Sequence, residues 1–199
     1  MARTHLVTAG LALMLVFTCV TAFGQVQDVY QTTYFDTNLS SDAYDATIRI
    51  INPGLTGSPF SGAQGTLCAS IFVFDADETM AECCSCPVTA NGLLTLSVQS
   101  LTENPLTVTP FRGVIKLVSS IPTPLCDPTV LTPTPDLRAF ATHLHRSENY
   151  KYFVTEEEFA PSPLGTSELS DLGKICAFLR YLGTGRGRCD YVCEQTITD

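Results

Sequence analysis

The sequence predicts a mainly β protein: an antiparallel β-sandwich closed by a C-terminal α-helix that disulfides tether to it. Three observations carry this reading. Several short segments alternate apolar and polar residues with strand composition, as in Leu93-Leu94-Thr95-Leu96-Ser97-Val98-Gln99. Gly, Pro and Asn punctuate the chain between them, as at Asn52-Pro53-Gly54 and Asn91-Gly92. Helical spacing of apolar residues becomes clear only near the end, in Thr166 to Gly183, beside three of the nine cysteines.

Taken in order, the chain begins with Arg3, an apolar run from Leu6 to about Val20, and small residues at Ala22 and Gly24. This pattern predicts a secretory signal peptide over 1–24, cleaved before Gln25, rather than a retained membrane anchor. The expected mature part, 25–199, is long enough for one domain with a real core. The chain has 11 basic and 20 acidic residues; only Arg3 among them falls in the leader, leaving 10 against 20, a net charge of −10. A chain this acidic is repelled by phosphate backbones and anionic lipid, so nucleic acid is not an expected partner. No second apolar run is long enough to span a bilayer. Asn38-Leu39-Ser40 is the single glycosylation sequon.

Strands are expected near Val29 to Phe35, at Ile48 and Ile50, over Leu67 to Asp75, Leu93 to Gln99, Val114 to Ser119, Leu137 to His145 and Tyr150 to Val154. Leu67, Ala69, Ile71 and Val73 line one side of their segment while Cys68, Phe72 and Phe74 line the other, the mark of a central strand. Leu94, Leu96 and Val98 should face inward. The stretch from Ser119 to Leu137 contains five prolines, which exclude a helix and favour an extended surface path. Cys126 in its middle argues for a stapled connection within one body.

The helical segment is expected over about 155–183. Thr155-Glu156-Glu157-Glu158 has capping-box spacing and predicts a short helical turn ending near Pro161. A longer helix follows, with Leu169, Leu172, Cys176 and Leu179 on one face, Thr166 or Ser167 as cap and Gly183 as terminator. Gly173 inside it costs about 1 kcal/mol against alanine, so packing must hold this helix.

With Cys19 in the leader, eight cysteines remain: Cys68, Cys83, Cys84, Cys86, Cys126, Cys176, Cys189 and Cys193. An even count in an exported chain predicts disulfides, whose pairing the sequence does not select. Cys83 and Cys84, adjacent in extended chain, must point oppositely and need different partners. The Cys-Cys-x-Cys spacing lacks the paired knuckles of a structural zinc site, and Pro87 and Asn91-Gly92 mark a loop and turn after it, where a thioredoxin-like Cys-x-x-Cys would stand at a helix start.

Other chemistry is sparse. His143 and His145, two apart, share a strand face and are weak metal candidates without a third ligand; a polar strand face is the alternative. Asp75, Asp77 and Glu78 offer oxygens to a cation but lack the rest of a calcium loop, so an acidic hairpin turn is expected. The glycine-rich Gly183-Thr184-Gly185-Arg186-Gly187-Arg188 follows a helix instead of opening one, unlike a phosphate loop. No catalytic set and no cofactor site is assigned, and Tyr30, Tyr34 and Tyr44 are the rings available for stacking a sugar.

The blocks LCASIFVFDADETMAECCSCPVTANGLLTLSV, CDPT with LTPTPDLRAFATH, TEEEF and CAFLRYLGTGRGRC resemble a group of small secreted cysteine-rich proteins of acidobacteria. The resemblance implies a bacterial, exported setting and brings no catalytic or binding residue. The N-terminal half is also similar in pattern to immunoglobulin-like modules of bacterial surface proteins, which implies an immunoglobulin-like form of the sandwich. The expected function is therefore a secreted, non-enzymatic interaction or structural module of the envelope or matrix, extracellular or periplasmic. Its expected partner is a protein or a polysaccharide. The alternatives are a metal-dependent hydrolase using His143 and His145, and a thiol oxidoreductase using Cys83, Cys84 and Cys86.

Overall fold

The computed structural model describes residues 29–37, 47–54, 65–146, 148–149, 151–182, 184–189 and 193. The expected leader, Cys19, Tyr44, the Asn38 sequon and Gly183 lie outside the described residues. In chain order the elements are β1 (Tyr30–Asp36), β2 (Thr47–Ile51), β3 (Leu67–Asp75), β4 (Met80–Val88), β5 (Leu93–Ser97), α1 (Val98–Leu101), β6 (Arg112–Ser120), β7 (Arg138–Arg146), β8 (Tyr152–Glu158), β9 (Ala160–Pro161) and α2 (Thr166–Tyr181).

Two antiparallel sheets form a β-sandwich, one in the order β4-β3-β6-β1-β9 and the other β5-β2-β7-β8. Strand alternation builds the core between them. Leu67, Ala69, Ile71 and Val73 of β3, with Ile115 and Leu117 of β6, meet Ile48, Ile50, Leu94, Leu96, Ala139 and Ala141 of the facing sheet. The opposite face of β3 and β6 is not left to solvent. Phe72 and Val118 pack with Tyr30, Met80 and Cys83 under Leu172, Cys176 and Leu179 of α2. The molecule therefore has three layers, and β3 is apolar on both faces because it is the middle one.

Turn chemistry follows residue type. Asn52 is buried; its side-chain amide donates to the carbonyls of Gly65 and Val88 at 2.6 and 2.8 Å, and its Oδ1 accepts from the Gly54 amide at 3.0 Å. Asn91 holds φ at 60°, which Asn tolerates better than most residues, and Gly92 closes the turn onto the Thr89 carbonyl at 2.8 Å. At Gly113 a Cβ would stand 1.9 Å from the Phe74 carbonyl oxygen, so only glycine fits where β6 crosses β3.

Several expectations need correction. Thr155 to Glu158 do not open a helix: they are the second half of β8, paired with Phe140 to His143 of β7. Across that sheet Glu156 meets Arg49 and Glu158 meets Arg138, each at 2.9 Å, so the acids answer cross-strand bases rather than a helix dipole. The helical segment is α2 alone, and its cap position is Gly165, with no side-chain cap bond from Thr166 or Ser167. The alternating stretch at Leu93 leaves the strand at Val98, where Ser97 caps α1 by accepting from the Ser100 amide at 3.1 Å. Leu94, Leu96 and Val98 are nonetheless all buried. The three clustered cysteines lie within β4, an edge strand, and Pro87 is tolerated there because an edge strand has donors to spare.

Candidate functional site

The eight cysteines named above stand in four bonded pairs: Cys68–Cys126, Cys83–Cys176, Cys84–Cys189 and Cys86–Cys193, with Cα separations of 5.3, 5.8, 5.2 and 4.8 Å. These separations lie in the range a disulfide spans. Each bond joins the five-stranded sheet to a segment outside it. Cys68 on β3 fixes the proline-rich connection at Cys126; Cys83 fixes α2; Cys84 and Cys86 fix the tail beyond it. Cys83 and Cys84 do point to opposite sides of β4, one toward the helix and one toward the inner face.

The tail also blunts the exposed edge of β4. Cys83 pairs with Arg188 in a parallel bridge, and its amide donates to the Gly187 carbonyl at 3.0 Å. The Gly187 amide in turn donates to the Asn104 carbonyl at 2.8 Å, while Asn104 Nδ2 donates to the Gly185 carbonyl. The glycine-rich segment is thus a hydrogen-bonded strap, and its glycines at 185 and 187 take the left-handed φ values of 72° and 75° that it requires.

A cavity of about 290 Å³ opens where β4, the proline-rich connection, the end of α2 and the strap meet; Cys84, Cys126, Arg180, Arg188, Cys189 and Cys193 are among its lining residues. Arg180 donates to Asp127 at 2.9 Å, and Arg188 Nη2 donates to the Arg180 carbonyl at 3.1 Å. Burial pushes the Asp127 carboxyl upward, but the amide and hydroxyl of Thr129 and the Arg180 guanidinium outweigh it and hold the group below its usual range.

One buried acid carries no signature motif. Glu82 of β4 is 0% exposed, and its Oε1 accepts from the Asn104 amide at 3.0 Å while Oε2 has no partner among the described residues. Burial drives its pKa up to about 8; the Asn104 amide opposes this and the charge of Glu103 adds to it. Alternation along the strand would have shown the position, since Glu82 shares its face with Cys84 and Cys86.

The weaker sequence candidates separate. Asp75 Oδ1 accepts from the amides of Asp77 and Thr79 at 2.9 and 2.8 Å, so it organises the β3–β4 hairpin turn that also holds Asp77 and Glu78, the latter at φ 64°. His143 is not on a polar face. It is 4% exposed, stacked on Tyr34 at 4.2 Å between ring centres, and burial lowers its pKa, with Glu157 opposing and His145 assisting. His145 Nε2 meets Thr155 Oγ1 at 2.7 Å and its ring stacks on Phe153. Among the described residues, the single group of three or more His, Cys, Asp or Glu with converging donor atoms is Cys84, Cys86 and Cys193. No helix among them is long and apolar enough to cross a membrane. No protein-family model, curated protein or solved structure matches the chain.

Proposed function

We propose that this chain is a secreted, non-enzymatic module of a bacterial envelope or extracellular matrix, an immunoglobulin-like sandwich that serves as an interaction or structural part and takes a protein or polysaccharide as partner. The observation that carries the reading is the set of four cross-links tying connection, helix and tail to one sheet. Such cross-links persist in oxidising compartments and are reduced in the cytosol of most bacteria. Cys83, Cys84 and Cys86 each bond to a distant cysteine, an arrangement suited to stapling rather than to a reacting dithiol pair.

The reading is tested by fractionating a producing bacterium after rapid alkylation of free thiols. The chain is expected outside the inner membrane, shortened near Gln25, with none of its eight remaining cysteines alkylated. Recovery in the cytoplasm with alkylated cysteines contradicts it.

A further inference from the structure

The C-terminal helix is apolar on two sides. Leu172, Cys176 and Leu179, spaced i, i+4 and i+7, are buried against the five-stranded sheet. A second set, Ile175, Phe178 and the C-cap residue Leu182, has the i, i+3, i+7 spacing of another helix face, with Tyr181 beside it. These side chains stay in water: Ile175 and Leu182 are each 40% exposed, Phe178 58% and Tyr181 85%. One apolar stripe is enough to dock a helix on a sheet. A second, contiguous and exposed, marks a contact surface.

The charge of the molecule is uneven around this face. From Leu172 to Cys189 stand four bases, Lys174, Arg180, Arg186 and Arg188, and no acid, in a chain with 11 basic and 20 acidic residues. Arg180 is paired with Asp127 at 2.9 Å. Lys174 and Arg186 are exposed, one on α2 and the other four residues past Leu182. The acids of α2 keep to its first half. Glu168 accepts from Lys116 and Tyr30, and Asp171 accepts from Ser167 at 3.3 Å. Asp171 stands about 15 Å along the axis from Tyr181, well past the roughly 8 Å over which charges act in physiological salt. The net negative charge that argues against anionic lipid for the chain as a whole is therefore screened at this end.

An occupant of the face must offer apolar depth and negative charge together. A second copy brings the same exposed bases and is repelled. An anionic lipid layer offers both, acyl chains for the apolar stripe and head groups for the cations, with aromatic rings favoured at the level between them. We propose that the outer face of α2, formed by Ile175, Phe178, Tyr181 and Leu182 with Lys174 and Arg186, docks the molecule on an anionic lipid surface. The helix lies along the interface; its 16 residues are too few to span a bilayer of roughly 20 residues' thickness. The proposed export is not needed for this docking, which is a property of the folded chain.

The test uses the oxidised chain as purified from its producing cell, with vesicles of phosphatidylglycerol and phosphatidylcholine or of phosphatidylcholine alone. The chain contains no tryptophan, so Phe178→Trp places a single indole on the face. Its emission should move to shorter wavelength with the anionic vesicles. The parent chain should sediment with them, and binding should weaken roughly tenfold or more with neutral vesicles or in high salt, as expected for two cations at a charged surface. Phe178→Glu/Tyr181→Glu should lose binding, whereas Val154→Glu, at an exposed apolar residue on β8, should keep it. Failure of the parent to sediment with anionic vesicles overturns the proposal whether or not any variant folds. So does equal loss in Val154→Glu, or a lipid-free dimer that itself shifts the indole emission, which would give the face to a second copy.

Discussion

At the scale of single residues, two buried titratable groups pull stability in opposite directions with pH. Glu82 keeps its proton in the folded protein to about pH 8, whereas in the unfolded chain it releases it near 4.5. Between these values the unfolded state binds fewer protons, so stability falls as pH rises through that window. Glu82→Gln keeps a carbonyl oxygen for the Asn104 amide and removes the charge. It should raise stability at pH 8 and above by on the order of a few kcal/mol and flatten the alkaline loss in thermal melts between pH 5 and 9. An unchanged alkaline slope contradicts this. His143 acts in reverse: its folded pKa lies below 6.5, so the unfolded chain takes up the proton first and stability is lost as pH falls below that value. His143→Phe keeps a ring for Tyr34 to stack on and should lose less stability between pH 7 and pH 5 in urea titrations than the parent. Neither behaviour was legible as a motif. The burial of Glu82 follows from strand parity with Cys84 and Cys86, but its surroundings depend on Asn104, 22 residues further along, which in turn bonds to the strap at Gly185 and Gly187.

At the scale of elements, α2 depends on tertiary contacts more than on its own propensity. Its first turn is tied down by Glu168, which accepts from Lys116 Nζ at 2.6 Å and from the Tyr30 hydroxyl at 3.0 Å. The lysine hydrogen bond holds the Glu168 carboxyl below its usual range against the upward push of burial, with Tyr30 and the Lys116 charge assisting. Gly173 is explained by approach: a Cβ there would stand 3.0 Å from the Thr129 carbonyl oxygen in the proline-rich connection. Cys83–Cys176 then closes a span of 93 residues on the buried face. Replacing both partners by alanine should cost about 2–5 kcal/mol in urea unfolding, and a loss under about 1 kcal/mol contradicts the assigned tether. The apolar spacing of Leu172, Cys176 and Leu179 made this helix legible in advance. Thr155 to Glu158 were not legible, because capping-box spacing is a local signal and pairing with β7 overrides it. The cysteines of β4 likewise read as the approach to a loop, since their burial comes from the helix and tail on either side.

At the scale of the whole molecule, three layers explain why a strand such as β3 is apolar on both faces and why the acidic surface still encloses a core. Alternation and turn residues carried the sandwich, which is why most strands of both sheets could be placed from sequence; β4, β9 and the second half of β8 were not. The pairing of cysteines could not, because it depends on which elements the chain brings together over separations of 58, 93, 105 and 107 residues. In the chain-entropy view each such closure alone stabilises by about 4 kcal/mol, so the account rests on these bonds being present in the native protein. Peptide mapping by mass spectrometry under non-reducing conditions tests this most directly. The predicted cross-linked peptides join Cys68 to Cys126, Cys83 to Cys176, Cys84 to Cys189 and Cys86 to Cys193, with no thiol left to alkylate. Free thiols in β4, or bridges joining its cysteines to one another, would contradict it.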